Sequence, residues 1–433
     1  MLKRSGEATS PCRTPVRIGN SSDMSFRIRT LLLHLRSKTA ELAKEQQLKM
    51  AKQEIDGVQS KLSEVSEKLY KGEMDRRKLH DQILELKGNI RVFCRECPLL
   101  PSDHADNIEH VQFPNNDEKS ILLARTEESH IGRDSKDQLK YRFSFDRVFP
   151  PRSSQQEVFE EISLLVQSAL DGYNVCIFAY GQTGSGKTYT MEGPAQLQDD
   201  TMGIIPRAVH QVFNSAVELK DQGWQYTFTA SFLEIYDETI RDLLVNKTVK
   251  KMEHEIKRPT SNAVHVSNLK YLNVETVEEV MSLIKVAKQN RATAHTKMND
   301  QSSRSHSVFQ LKIEGLNKKG NITSTLTLID LVGSERIDKS ESRDRLKETK
   351  AINCSLSNLG GVFIALANKD TFVPYRNSKL TYLLQNCLGG NKKVLMFVNI
   401  SPKNSSFGES LNSLRFASKV NKCVIGTAVA NRK

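Results

Sequence analysis

Residues 181–188 read Gly-Gln-Thr-Gly-Ser-Gly-Lys-Thr, which matches the phosphate-loop pattern G-x-x-x-x-G-K-[ST] at every fixed position. An apolar run, Val175 to Ala179, comes directly before the loop and predicts a buried strand, and a helix is expected after it. In this setting the glycines let backbone N–H groups converge on phosphate oxygens. The sequence therefore predicts an α/β nucleotide-binding domain, in which Lys187 reaches the phosphates and Thr188 binds Mg²⁺.

A second apolar run ends in a carboxylate. A phosphate-loop site needs such a group near its Mg²⁺, at the end of another buried strand. The run covers residues 326–329 and is followed by Asp330, then by Gly333 and Glu335. Gly333 lacks a side chain, so its backbone can approach the terminal phosphate. The polar run at 299–306 supplies serine hydroxyls and Arg304, which can pair with Glu335. The guanine-specifying pattern N-K-x-D is absent, which favours ATP over GTP.

Composition excludes several classes of protein. The chain has 433 residues, 38% hydrophobic and 26% charged, and its apolar runs are far shorter than a membrane helix. Its seven cysteines are irregularly spaced, which indicates a reducing compartment. The net charge is +12, and residues 1–50 alone carry ten basic and four acidic residues, which implies an acidic partner.

Residues 1–27 are expected to be a disordered basic arm, and residues 28–88 a coiled-coil stalk. Twelve positions from 48 to 86 follow one another in alternating steps of three and four, and ten of them are apolar, which favours a supercoiled partner helix over a straight amphipathic helix. We call these positions the seam: Leu48, Ala51, Ile55, Val58, Leu62, Val65, Leu69, Gly72, Arg76, Leu79, Ile83 and Leu86. The alternative is a single long helix folded onto the body. Gly88 and Asn89 are predicted to end the helix.

The body is predicted to begin at residue 89. Strand-like and helical runs alternate from there, which indicates an α/β fold with a mostly parallel, buried central sheet flanked by helices. Strands are expected at 174–180, 226–235 and 324–331, and residues 100–140 are expected to form surface hairpins and loops.

Taken together, these segments resemble a kinesin motor domain. The loop at 181–188, the run at 299–306 and the run Asp-Leu-Val-Gly-Ser-Glu at 330–335 are similar to the P-loop, switch I and switch II of kinesins. Residues 173–180, 233–236 and 373–381 agree as well, so the resemblance covers about 89–425 and leaves 426–433 as a short tail. It implies the kinesin fold and a microtubule-stimulated ATPase that uses ATP and Mg²⁺.

The resemblance also assigns roles to individual residues. It places the phosphates on Gly181, Gln182, Thr183, Gly184, Ser185, Gly186, Lys187 and Thr188. It places Mg²⁺ on Thr188, on Ser303 and, through water, on Asp330. According to the resemblance, five residues close the site over the terminal phosphate and position the attacking water. They are Asn299, Ser302, Arg304, Gly333 and Glu335. It assigns the microtubule-binding face to Arg376 and Lys379, and also to Lys347 and Lys350 in the segment after switch II.

The coil precedes the motor, and little chain follows it. This order resembles the C-terminal-motor kinesins, the kinesin-14 group, and especially their vertebrate spindle members, with Gly88 and Asn89 at the stalk–motor junction. The resemblance implies movement toward the microtubule minus end, a role in organising the mitotic or meiotic spindle, and a homodimer formed through the coil. It implies a location in the cytoplasm on the microtubule cytoskeleton, with storage in the nucleus as a further option, and no membrane or nucleic-acid partner.

One segment departs from the family pattern. Kinesins usually carry Arg-x-Arg-Pro beside the adenine, and this chain has Arg95, Glu96, Cys97 and Pro98. Arg95 and Pro98 remain, and Tyr189 offers a ring to stack on the base. Cys97 removes a cation and Glu96 adds an anion, so we expect weaker but retained ATP binding.

Two other functions compete with the motor. One is a microtubule-binding protein without turnover, suggested by Cys97. The other is a P-loop nucleoside triphosphatase that acts on nucleic acid, suggested by the positive charge, although no nucleic-acid-binding signature is found.

Overall fold

The structure is a computed structural model. It describes residues 21–98, 110–126, 138–194, 196, 198–245, 253–258, 264–295, 304–318, 320–335, 343–388 and 392–423. The chain divides into two compact units, Met1–Gly72 and Glu73–Lys433.

One helix, α1, spans Ser21–Lys87 and supplies all of the described part of the first unit. It begins seven residues before the predicted start at 28, because the polar run before Met24 is a typical helix start. Residues 1–20 of the predicted arm at 1–27, and the predicted tail at 426–433, lie outside the described residues. Within the first unit the apolar seam side chains are exposed, namely Leu48, Ile55, Val58, Leu62, Val65 and Leu69.

The last turns of α1 belong to the second unit and pack on its body through buried charges. Arg77 is fully buried, and its Nε lies 2.6 Å from Glu73 and 3.4 Å from Asp171. Its guanidinium also lies 4.5 Å from the ring centroid of Trp224. Because removing one partner of a buried ion pair is strongly destabilising, this cluster fixes the helix end on the body. Gly88 follows in a left-handed conformation, with φ of 90°.

The body contains fourteen described strands and seven further helices. The strands are β1 Ile90–Glu96, β2 Val111–Gln112, β3 Ser120–Thr126, β4 Gln138–Ser144, β5 Arg147–Phe149, β6 Val175–Tyr180, β7 Gln225–Tyr236, β8 Thr239–Asp242, β9 Ile256–Lys257, β10 His265–Val266, β11 Leu272–Val274, β12 His306–Asn317, β13 Gly320–Asp330 and β14 Lys393–Ile400. The helices are α2 Gln155–Leu170, α3 Lys187–Glu192, α4 Ile204–Lys220, α5 Val277–His295, α6 Arg343–Asn368, α7 Lys379–Leu388 and α8 Phe407–Asn421.

Nine of the described strands form the central sheet, in the order β11-β7-β12-β13-β6-β14-β1-β5, with β8 beside β7. The pairs from β13 to β5 are parallel, whereas β11, β7, β8, β12 and β13 pair antiparallel. The sheet is therefore mixed, where the sequence predicts a mostly parallel one. For β12 and β13 the reason is that only two residues separate them in the sequence, too few for the crossover that parallel pairing requires.

Helices cover both faces of this sheet. On one face an apolar cluster joins the sheet to α6, α7 and α8, through residues such as Leu359, Leu384 and Leu414. On the other face a second cluster joins it to α2, α4 and α5, through residues such as Ile162, Val209 and Ile284. This layering buries β6 and β13 at the centre, so their carboxyl ends are held rigidly beside each other.

Two small antiparallel sheets lie outside the central sheet. Strands β2, β3 and β4 form one, mostly within the region predicted to hold surface hairpins, and β9 pairs with β10 in the other. Both contribute to the first apolar cluster, through Ile121 and Leu123 of β3 and Val266 of β10, so the segment at 120–126 is not the surface hairpin that the sequence predicts. None of the helices in the described part of the chain combines the length and apolar character that a bilayer crossing requires.

Candidate nucleotide-binding site

The loop at 181–186 connects the carboxyl end of β6 to α3. Its three glycines all adopt positive φ, with 150° at Gly181, 78° at Gly184 and 89° at Gly186. A Cβ on Gly181 would lie 2.2 Å from the carbonyl oxygen of Asn399, so no other residue fits at that position. The loop therefore follows the path that the sequence pattern predicts.

Lys187 lies almost fully buried beneath this loop. Its Nζ donates a 2.9 Å hydrogen bond to the carbonyl oxygen of Gln182, and burial lowers its pKa against the opposing pull of Asp330 and Glu335. A buried ammonium group gains most from a nearby anion, so this position suits the oxygens of a phosphate.

Asp330 ends β13 and lies beside Thr188. The Thr188 hydroxyl donates a 2.6 Å hydrogen bond to Asp330 Oδ2, while Oδ1 is buried and has no hydrogen-bond partner among the described residues. A hydroxyl and a carboxylate with an oxygen to spare are the donors that Mg²⁺ prefers. These two residues therefore fit a magnesium site. Ser303, the third predicted ligand, lies outside the described residues.

Switch II, the segment 330–335, closes over the loop. The backbone N–H and the hydroxyl of Thr183 donate to the Glu335 carboxylate at 2.9 and 2.5 Å. Ser334 N–H donates to the carbonyl oxygen of Gly181 at 3.0 Å. A Cβ on Gly333 would fall onto the Thr183 hydroxyl and the Glu335 carboxylate, so glycine is required for this closure. The predicted pairing of Glu335 with Arg304 stays a prediction.

Arg304 is the first described residue after a gap that contains Asn299, Ser302 and Ser303. The residues that follow it are held by side chains that the sequence did not single out. Ser305 Oγ donates a 2.7 Å hydrogen bond to the buried carboxylate of Glu234 on β7. Arg291 on α5 donates to the carbonyl oxygen of Ser305 at 3.2 Å.

Arg291 lies between the carboxylates of Glu234 and Asp330. Its guanidinium lies 3.7 Å from Glu234 and 3.9 Å from Asp330. Glu234 belongs to the stretch 233–236 that resembles kinesins, which is a signal that could have drawn attention to it. Arg291 lies in an ordinary amphipathic helix, and nothing in its local sequence marks it.

We call residues 181–188 with Asp330, Gly333 and Glu335 the phosphate side, and residues 95–98 with Tyr189 the base side. On the base side Arg95 is buried and donates to Gln155 at 2.7 Å and to Thr190 at 3.1 Å. Its guanidinium lies 5.5 Å from the ring centroid of Tyr189. Gln155, which sequence reasoning missed, therefore orients two of the three predicted base-side residues, Arg95 and Tyr189, since it also donates to the carbonyl oxygen of Tyr189.

The two unusual residues of the base side differ in environment. Cys97 lies against the phosphate loop, because a Cβ on Gly186 would come within 3.3 Å of its Sγ. Glu96 is only 2% exposed, one of its carboxyl oxygens has no hydrogen-bond partner among the described residues, and burial raises its pKa to about 8. Glu96 is therefore mostly protonated at pH 7, whereas the sequence suggests an anion here. Pro98 is exposed.

The predicted microtubule-binding residues lie elsewhere on the body. Arg376 is exposed in a 3₁₀ turn, 5.6 Å from the ring centroid of Tyr382. Lys379 begins α7, and its backbone N–H donates to Glu238 at 2.6 Å. Lys347 and Lys350 lie on α6, but their side chains are outside the described residues. The structure thus brings Arg376 and Lys379 together at the start of α7.

Comparison with known proteins gives a consistent result. The family model for the kinesin motor domain matches residues 95–423. "Carboxy-terminal kinesin 2" of Xenopus laevis is 64% identical over 385 residues, which cover 88% of this chain and 60% of the frog protein. "Kinesin-like protein KIFC1" of Homo sapiens is 54% identical over 380 residues, covering 83% of this chain and 56% of the human protein. The chain thus spans less than two thirds of these relatives.

Solved structures agree with the sequence matches. A structure described as the C-terminal motor and motor homology domain of Kar3Vik1, fused to a synthetic heterodimeric coiled coil, aligns with a TM-score of 0.76 and 40% identity, covering 90% of this chain and 99% of that one. The motor domain of Kar3 from Saccharomyces cerevisiae aligns with a TM-score of 0.65 and 43% identity, covering 77% of this chain and 100% of that one. With its phosphate loop, its mixed sheet and a match to the motor model over most of its length, the chain belongs to the kinesin family.

Proposed function

We propose that this chain is a microtubule-stimulated ATPase, a motor that converts ATP hydrolysis into movement along microtubules. The observation that carries the proposal is the closure of the phosphate side. Thr188 touches Asp330 and Thr183 touches Glu335, so the loop and switch II form one connected site. Membership of the kinesin family is the reason for proposing microtubules as the partner and ATP hydrolysis as the reaction.

The site suits ATP with Mg²⁺. Thr188 and Asp330, together with Ser303, would hold the metal ion, which neutralises phosphate charge when bound. Lys187 would exchange its bond to the carbonyl of Gln182 for a phosphate oxygen. The amide N–H of Thr183 now serves the Glu335 carboxylate, and an arriving phosphate would compete for it. Glu335 would then be released to pair with Arg304 and to orient the attacking water, with Gly333 next to the terminal phosphate.

Microtubules are the proposed partner and the stalk the proposed lever. Tubulin is acidic, so Arg376, Lys379, Lys347 and Lys350 would be attracted to it, and the attraction should weaken as salt rises. Movement toward the minus end and a role in the spindle follow from the likeness to C-terminal-motor kinesins. The exposed seam on α1 supports pairing with a second copy, because an apolar stripe of this length is unfavourable in water.

Phosphate release by the full chain, with and without microtubules, tests the proposal. We expect strong stimulation by microtubules and, in Lys187→Ala, a loss of turnover of at least about a thousandfold, because the only buried ammonium at the described phosphate side is gone. Co-sedimentation with microtubules but no stimulation would contradict the motor and favour the binding protein without turnover. Stimulation that persists in Lys187→Ala would contradict the site.

A further inference from the structure

The ring of His306 connects three segments of the second unit. His306 is the first residue of β12, and it is 3% exposed. Its Nδ1 accepts a 3.1 Å hydrogen bond from the backbone N–H of Val332, the residue before Gly333 in switch II. Its Nε2 lies 2.9 Å from the hydroxyl oxygen of Ser355, which is buried on α6.

These contacts determine where the ring carries its proton. A backbone N–H can only donate, so Nδ1 must be the unprotonated nitrogen. A neutral ring then carries its hydrogen on Nε2 and donates it to the hydroxyl of Ser355. Burial beside Arg291 and Lys187 lowers the pKa of His306 to about 3, so the ring stays neutral at every pH at which the protein would work.

The backbone next to the His306 ring is held in place by hydrogen bonds. Ser305, next to it, is held through its hydroxyl by Glu234 and through its carbonyl by Arg291. A shift of α6 would therefore be resisted at Ser355 and passed through the ring to the backbone at Val332. Gly333, one residue further, has no room for even a Cβ, so a small displacement there alters the phosphate side.

We propose that His306 is a positioning residue that couples α6 to switch II, so that its hydrogen bond with Ser355 transmits the effect of a bound microtubule to the nucleotide. This inference rests on the proposed ATPase function, and it adds the residue through which α6 contacts switch II. His306 touches neither nucleotide nor tubulin in this scheme. It acts through Val332 on one side and through Ser355 on the other.

Ser355→Ala tests the connection in the full chain. The change removes the acceptor of the Nε2 hydrogen and leaves the bond to Val332 in place. Ser357→Ala is the matched control, because it makes the same substitution two residues along the same helix at an exposed position. The readouts are phosphate release without microtubules, the rate at saturating microtubules, the microtubule concentration that gives half of that rate, and the dissociation constant for ADP.

For Ser355→Ala we expect the rate at saturating microtubules to fall about twofold to tenfold, the range that one neutral hydrogen bond contributes. The rate without microtubules and the dissociation constant for ADP should stay within twofold of the wild type, and Ser357→Ala should match the wild type throughout. Equal stimulation in wild type and Ser355→Ala would overturn the proposal. Absence of stimulation in the wild type would instead overturn the proposed function, so the two failures are distinguishable.

A second measurement does not depend on activity or on the Ser355→Ala variant. In the ¹⁵N-labelled wild-type chain, the His306 ring should show a proton on Nε2 and none on Nδ1, and it should keep this form down to about pH 5. The signals of His306 are identified among the ten histidines by their loss in His306→Gln. A proton on Nδ1, or titration near pH 6.5, would contradict the connection to Val332.

Discussion

On the phosphate side, Lys187, Thr183 and Thr188 each make a short hydrogen bond to another group of the same site, whereas on the base side Glu96 has a buried carboxyl oxygen with no described partner. The phosphate side keeps every residue of the pattern, and a Cβ would clash at Gly181 and at Gly333. The base side keeps Arg95 and Pro98 but carries Glu96 and Cys97 between them. The polar groups of the phosphate side are thus held by contacts within the site, while the base side departs from the family pattern at two positions.

The largest expected effect is on the free energy of unfolding, and it arises from the buried carboxyl of Glu96 on the base side. Its pKa is raised from 4.5 to about 8, so the folded chain binds more protons than the unfolded chain between these values. The free energy of unfolding should therefore fall as pH rises through this window, by about 5 kcal/mol in total at about 1.4 kcal/mol per pKa unit. Glu96→Gln cannot ionise and should abolish this fall.

Urea unfolding at pH 5 and at pH 8.5 measures the effect of Glu96. The difference between wild type and variant at each pH cancels the contributions of the buried histidines, which act in the acid range. Glu253→Gln, at an exposed position, should leave the pH dependence unchanged. An identical pH dependence in wild type and Glu96→Gln would show that the carboxyl is ionised and solvated at neutral pH.

The next effect is expected on the phosphate side. In Gly333→Ala the added Cβ would occupy the place where Thr183 and Glu335 meet, so switch II cannot close on the loop. Turnover should fall at least about a hundredfold, close to 3 kcal/mol, while ADP still binds. Gly361→Ala is the control, because a Cβ there meets nothing within 4 Å. Turnover of Gly333→Ala within threefold of the wild type would mean that this closure is not part of the reaction.

The same two sides show what could be read from the sequence. The loop and the strand ending in Asp330 are local patterns, so the sequence predicts where they lie, and the strands predicted at 174–180 and 226–235 lie within a residue or two of β6 and β7. The roles of the phosphate-side residues in binding and catalysis stay predictions. Gln155, Glu234 and Arg291 were missed because their roles arise from contacts between segments far apart in the chain. The protonation of Glu96 was missed for a related reason, since burial cannot be read from a charged residue in a short motif.

The smallest effect returns to the base side, at Cys97. An arginine there would restore the cation of the family pattern, and a cation near a stacked base contributes about 0.5–2 kcal/mol. Cys97→Arg should therefore tighten ATP binding about threefold to tenfold, measured by competition with a fluorescent ADP. The Sγ already lies beside Gly186, so the longer side chain must extend past the loop toward the base and away from the phosphates. Cys97→Ser, which has nearly the same size and no charge, should bind ATP as the wild type does. If Cys97→Arg and Cys97→Ser bind ATP equally, a cation at position 97 contributes nothing to affinity, and the intact phosphate side accounts for the binding that the departure at Cys97 leaves in place.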